Sequence, residues 1–176
     1  MGVTVEREAL RIIVVMGVSG AGKTAVGQAL TKALGVGWRF IDADDFHSEA
    51  NKEKMHRGIG LTDADRAPWL AAMREALSDA LARGERVVLA CSALKHAYRV
   101  AIRPNGADAS TERFVYLDVP VNVLRERLER REHHFAPPEL LASQLTTLEE
   151  PHDALRVDGA KPIDSIVRTI RDAFGI

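Results

Sequence analysis

The chain is poor in the features that mark several protein classes. It holds one cysteine, Cys91, in 176 residues. No disulfide can form within it, and a reducing interior, the cytoplasm, is the expected compartment. No apolar run approaches the roughly 18 residues that cross a bilayer. Residues 1–11 (MGVTVEREALR) lack the basic and apolar regions of a secretory leader, and Glu6 stands where a myristoylation signal needs serine or threonine. A membrane is therefore not an expected partner. Excess charge is also missing: Lys+Arg 24 against Asp+Glu 25 leaves −1, whereas a nucleic-acid binder usually carries a basic excess. The six histidines show no metal-ligand spacing such as H-E-x-x-H. Repeats, low-complexity tracts and long linkers are absent. With 46% hydrophobic and 28% charged residues, the composition is that of an ordinary globular protein, and a single domain over 1–176 is expected.

What is present is an alternation of short apolar runs and helical patterns. Ile12, Ile13, Val14, Val15 and Met16 form a continuous run that breaks at Gly17, the pattern of a buried strand. Val26, Leu30, Ala33 and Leu34 then follow at i, i+4, i+7 and i+8, the stripe of a core-facing helix that stops near Gly35. Further strands are expected at 38–41, 86–91, 113–117 and 155–157. Helices are expected over 48–58, around Leu70 to Leu81, after Pro120 and after Pro162, proline being well placed at a helix start. HHFAPP at 133–138 reads as a loop between two helices. Strands alternating with helices imply parallel β-α-β units in a three-layer α/β domain.

Gly17-Val18-Ser19-Gly20-Ala21-Gly22-Lys23-Thr24 matches G-x-x-x-x-G-K-[ST], between an expected strand and an expected helix. In that setting glycines turn successive N–H groups onto a phosphate, and the helix N-terminus adds about half a positive charge. Lys23, expected on the solvent side, would bridge the β- and γ-phosphates, and Thr24 would hold Mg²⁺. The alternative is a glycine-rich turn, which chance seldom supplies with this spacing. The motif specifies a nucleotide and leaves the reaction open. The third strand ends Ala90-Cys91-Ser92 without an aspartate, and no Asn-Lys-x-Asp guanine signature occurs. A carboxylate for the metal must come from elsewhere. Asp42 and Asp44 close the second strand, and i, i+2 residues of a strand share a face. One could serve a metal and the other a substrate hydroxyl, or both could cap a turn with Asp45.

Three cationic clusters stand out. Arg127 and Arg131 have no acidic i±3 or i±4 neighbour, unlike Arg125 with Glu129 or Glu126 with Arg130. They form either an anion site or a solvated basic face. His47, Asn51 and Lys54 share a helical face, as a substrate wall or a solvated surface. Lys95 and Arg99 lie just past the third strand, at the end where open α/β sheets bind ligands.

Six stretches carry a resemblance. They are the P-loop from Met16, Asp42-Ala-Asp44-Asp-Phe-His47, Asn51-Lys-Glu-Lys54-Met55, Leu61-Thr-Asp-Ala-Asp65-Arg66-Ala-Pro68-Trp69-Leu70, Cys91-Ser-Ala-Leu-Lys95 with Tyr98-Arg99, and 144–151. In this order, over about residues 10–174, the chain resembles the P-loop gluconokinases, relatives of shikimate kinase and the nucleoside-monophosphate kinases. The resemblance implies a P-loop NTPase fold with a five-stranded parallel sheet in order 2-3-1-4-5, helices on both faces and a small lid at about 125–140. It implies ATP with Mg²⁺, phosphorylation of D-gluconate at its 6-hydroxyl, and a homodimer. Carried over, Lys23, Asp44, Arg127 and Arg131 are the candidate catalytic residues and residues 17–24 the nucleotide loop. Thr24 and Asp42 would serve the metal. Asp44, His47, Lys54, Arg66, Lys95, Arg99, His134 and Gln144 would serve the substrate. The cations in this set (His47 if protonated) suit a carboxylate better than a neutral sugar. The rival readings are a kinase for shikimate or a nucleotide, and a regulatory protein that binds nucleotide without turnover.

Overall fold

A computed structural model describes residues 10–108, 110–131 and 137–176. Five strands, β1 (Ile12–Met16), β2 (Trp38–Asp42), β3 (Arg86–Ala90), β4 (Glu112–Asp118) and β5 (Leu155–Asp158), form one parallel sheet in the order β2-β3-β1-β4-β5. This is the expected order. Every residue of β1 is 0% exposed. Since successive strand residues point to opposite faces, both faces of the central strand are covered. β2, an edge strand, alternates half-exposed and exposed positions and buries only Ile41.

The helices are α1 (Lys23–Leu34), α2 (Glu49–His56), α3 (Asp63–Ala82), α4 (His96–Ile102), α5 (Val121–Glu129), α6 (Pro138–Thr147) and α7 (Ile163–Phe174). α1 and α7 pack on each other, while α3 packs on α4 and β3. Among the described residues no helix is long and apolar enough to cross a membrane. α3 starts seven residues before the apolar stripe that signals it, because a capping box starts it. Thr62 accepts from the Asp65 N–H at 3.1 Å and Asp65 accepts from the Thr62 N–H at 2.9 Å. Pro68 lies inside this helix and hides its first turns from a periodicity reading.

Helix α1 must lie close to β2 for the P-loop to meet the end of that strand. Gly27 allows it, because a Cβ there would stand 2.6 Å from Cε2 of Phe40. Gly27→Ala gains up to about 1 kcal/mol of helix propensity and loses about 1–3 kcal/mol to overpacking. A net loss of about 1 kcal/mol in urea unfolding is expected, recovered when Phe40→Leu is added. A gain in stability from Gly27→Ala alone would show that the contact is slack.

Candidate active site

The loop after β1 turns into α1 through Gly22, whose left-handed conformation (φ 93°) leaves the cap free of a side chain. Lys23 opens the helix, and its Nζ donates to the Val18 carbonyl at 3.1 Å. The expectation of a solvent-side lysine is corrected here. Half-buried by surface area, Lys23 has its ammonium enclosed: burial pushes its pKa down, the carboxylates of Asp44 and Asp42 hold it up, and Arg131 pushes it down again. Cys91 lies beneath it, an inert thiol that burial raises to about 12.

Thr24 Oγ1 donates to Asp42 Oδ2 at 2.8 Å, and Asp42 Oδ1 accepts from the Asp44 N–H at 3.0 Å. Asp42 and Asp44 do not share a strand face, as the sequence had suggested. β2 ends at Asp42, which caps a single 3-10 turn, Ala43–Phe46, and that turn carries Asp44. One oxygen of Asp42 therefore caps and the other meets Thr24. Two adjacent hard oxygens fit Mg²⁺, which takes one or two carboxylate ligands and fills its shell with phosphate and water. The described residues contain no group of three or more His, Cys, Asp or Glu that could hold a metal by themselves.

A cavity of about 220 Å³ opens beside this loop. It brings together Ser19, Lys23, Asp44, His47, Arg66, Arg131 and Gln144 from the expected set. The amide orientation of Gln144 is fixed because its Oε1 accepts from the Ser19 N–H at 2.7 Å, which ties α6 to the P-loop. His47, 8% exposed, stacks on Trp69 with centroids 4.4 Å apart and planes at 10°. Burial pushes its pKa below 6.5, so it is neutral at pH 7 and not the cation allowed for above. Trp69 Nε1 donates to the Ala43 carbonyl at 2.7 Å, which holds the turn that carries Asp44.

Arg66 is 7% exposed and faces the same cavity. Its guanidinium donates to the Leu61 carbonyl and, at 3.3 Å, to the Tyr98 hydroxyl. None of the ion pairs among the described residues includes it. A buried guanidinium without a carboxylate is costly, and an anion entering the cavity would relieve that cost.

Three expected cations do not line the cavity. Lys54 is taken by Asp65 at 2.8 Å, Lys95 by Asp63 at 3.1 Å, and Arg99 donates to the carbonyls of Ala93 and Leu94. Asn51, grouped with Lys54 in the sequence, docks α2 on α3 through the Asp65 carbonyl at 2.9 Å. Lys54 first, and then the Thr62 cap, hold Asp65 down at about 2 against an ordinary 3.8. A depressed carboxylate stabilises the fold above its unfolded pKa, and that contribution is lost as pH falls from about 3.8 through about 2. Asp65→Asn should therefore flatten the acid limb of melting temperature against pH in that window. An unchanged acid limb would show the pair to be silent.

Arg127 does not lack compensation either. Its guanidinium donates to the carbonyls of Gly20 at 3.2 Å, Ala21 at 3.3 Å and Gly159 at 2.8 Å. Backbone carbonyls, invisible to a count of side-chain charges, supply what the sequence seemed to withhold. Arg127 thereby clamps the P-loop to the loop before α7, beside a second cavity of about 350 Å³. Arg131 is exposed and lines both cavities. His134 and the centre of the expected lid, 132–136, lie outside the described residues.

Sequence reasoning passed over Ser92, His56 and Ser143, all on the cavity wall, and Tyr98 behind Arg66. The position of Ser92 at the carboxyl end of a strand was a usable signal. The others depend on how α2, α4 and α6 converge.

The family described as an AAA domain matches residues 12–151. A gluconokinase of Gluconobacter oxydans (strain 621H) is 48% identical over 91% of this chain and 89% of that protein. Among solved structures, a sugar kinase from Janibacter sp. HTCC2649 superposes with a TM-score of 0.84 at 38% identity, covering 95% of each chain. A gluconokinase from Sinorhizobium meliloti 1021 gives 0.81 at 42% identity, covering 95% of this chain and 93% of that one. Nearly half identical to a gluconokinase over nine-tenths of its length, and with the P-loop residues Ser19 and Lys23 sharing one cavity with Arg66, the chain belongs to the gluconokinase family.

Proposed function

We propose that this protein is an ATP-dependent gluconokinase that transfers the γ-phosphoryl group to the 6-hydroxyl of D-gluconate, giving 6-phosphogluconate and ADP. The observation that carries the reading is Arg66, a buried guanidinium without an acidic partner among the described residues, in one cavity with Lys23 and Asp44. An acceptor with a carboxylate at one end and a primary hydroxyl at the other meets both needs. In this reading the domain is single, with residues 125–140 as its lid.

The nucleotide lies along 17–24, its base toward the second cavity beside Arg127 and its γ-phosphate toward the first. Thr24 and Asp42 would hold Mg²⁺, which when bound neutralises charge on the phosphate oxygens. The sugar lies between His47, Arg66 and Gln144, with Lys54 and Lys95 acting from behind through Asp65 and Asp63. Asp44 orients the 6-hydroxyl and accepts its proton as the hydroxyl oxygen attacks the γ-phosphorus in line. Phosphoryl transfer through a loose transition state needs positioning and charge stabilisation more than covalent help. Lys23 and Arg131 supply that charge. The family resemblance supports a homodimer and, together with the single cysteine, a cytoplasmic location.

A coupled ADP-release assay with gluconate, with the product identified by ³¹P NMR, tests the function directly. Gluconate-dependent ADP release with a new phosphomonoester is expected, and release that is indifferent to gluconate would refute the reading. Arg131→Ala tests the phosphate contact. Because that contact matures in the transition state, kcat should fall about 10- to 100-fold with ATP affinity nearly unchanged. A loss confined to ATP binding would make Arg131 a ground-state contact.

A further inference from the structure

We propose that Ser92 is a catalytic residue of the transfer step, its hydroxyl donating to the γ-phosphoryl oxygens as they gain charge, and that Arg99 positions it. The proposal rests on the kinase reading above and adds to it a donor and the device that aims that donor. Ala90, the last residue of β3, stands level with Val15 of β1 and Asp42 of β2. The Cys91 N–H adds one more ladder bond, to the Val15 carbonyl at 3.1 Å. The chain therefore emerges between the P-loop and the Asp44 turn, and Ser92 lines the cavity with Lys23, Asp44 and Arg131. Its hydroxyl makes no hydrogen bond among the described residues.

The next residue is strained. Ala93 has φ +46°, the one non-glycine residue with positive φ among those described, and is 1% exposed. Glycine would adopt this conformation without steric cost, so an alanine there must be held by its surroundings. Arg99 does the holding. One guanidinium nitrogen donates to the Ala93 carbonyl at 2.8 Å and to the Leu94 carbonyl at 3.3 Å. The Leu94 carbonyl also accepts from the Glu149 N–H at 2.8 Å, and the Glu149 carboxylate accepts from the His96 N–H at 2.8 Å.

Arg99 is 5% exposed and belongs to none of the ion pairs among the described residues. A cation is seldom buried to satisfy two carbonyls. A loop pinned from both sides and bent against its own preference fixes the direction of the residue before the bend. Donors that need no reorganisation at the moment of reaction are what stabilise developing charge best.

The test compares Ser92→Ala, Arg99→Met, Ala93→Gly and their combinations with Ser92→Ala, in the full chain with Mg-ATP and gluconate. Ser92→Ala should lower kcat about 10- to 100-fold, with both KM values within about twofold and the melting temperature unchanged. Arg99→Met should lose part of the same kcat. Should Arg99→Met fail to fold, Ala93→Gly, which fits the backbone and frees the loop, carries the comparison. In the Ser92→Ala background neither change should lower kcat further, because a positioning residue has nothing left to position. Wild-type kcat in Ser92→Ala overturns the proposal. Losses that multiply in the double variants overturn the role of Arg99. Wild-type protein that turns over no gluconate overturns the kinase reading and this proposal together.

Discussion

Lys23→Ala is expected to lower kcat by about 10²–10³-fold or more, the effect of removing a preorganised donor to developing charge, while the protein stays folded. The ammonium is enclosed near the P-loop with one carbonyl partner, Val18, at 3.1 Å. Burial opposes its charge, the carboxylates of Asp44 and Asp42 favour it, and the nearby Arg131 cation opposes it. A second cation beside a desolvated one is unfavourable until phosphate arrives, so the resting protein gains little from Lys23. Its removal should change stability by no more than about 1 kcal/mol. The transition state, by contrast, spreads charge over the phosphoryl oxygens, which Lys23 meets without reorganisation. Single-turnover kinetics beside a denaturant melt separates the two effects. A folded Lys23→Ala protein with near-normal kcat would overturn the assignment of the phosphate site.

The sequence disclosed the parts of this site that rest on local pattern and concealed those that depend on packing. The P-loop was legible because glycine spacing, a preceding apolar run and a following amphipathic stripe are all local. Strand order came from the resemblance, since alternation of β and α implies parallel pairing without saying which strands are neighbours. Arg127 and Arg99 make contacts that the sequence did not disclose, each for its own physical reason. A count of side-chain charges does not see main-chain carbonyls, and three of them take up the Arg127 guanidinium. Arg99 was placed by its position past β3, whereas one of its nitrogens binds the Ala93 and Leu94 carbonyls and its buried Nε has no partner among the described residues. Lys54 and Lys95 were set on the substrate wall because the start of α3 was hidden. The capping box at Thr62 brings Asp63 and Asp65 into reach, and each takes one lysine. Arg66, three and one positions further along that helix, is left without a direct ion pair among the described residues and reaches Asp63 only through the Tyr98 hydroxyl.

That asymmetry makes acceptor selectivity the sharpest property to measure. Wild-type protein should prefer gluconate to glucose by about 100-fold or more in kcat/KM. Glucose offers the hydroxyls and leaves the remaining Arg66 donors unpaired, and an unsatisfied buried donor costs about 1–3 kcal/mol, more when charged; about 1.4 kcal/mol is tenfold. Arg66→Met should raise KM for gluconate about 10- to 100-fold and leave KM for ATP unchanged, so that the preference over glucose shrinks by the same factor. Its stability should fall little, because an apolar side chain of similar length replaces a buried charge that forms no ion pair among the described residues, at the loss of its bonds to the Leu61 carbonyl and the Tyr98 hydroxyl. Arg66→Lys keeps the charge without the planar fork and should recover only part of the selectivity, since bidentate geometry is what the carboxylate needs. Steady-state kinetics with gluconate, glucose and shikimate at fixed Mg-ATP decides the matter. Glucose turned over as well as gluconate by wild type, or selectivity undisturbed in Arg66→Met, would remove Arg66 as the reader of the carboxylate. A preference for shikimate would give the cavity a cyclic acid in place of the open-chain aldonate as its substrate.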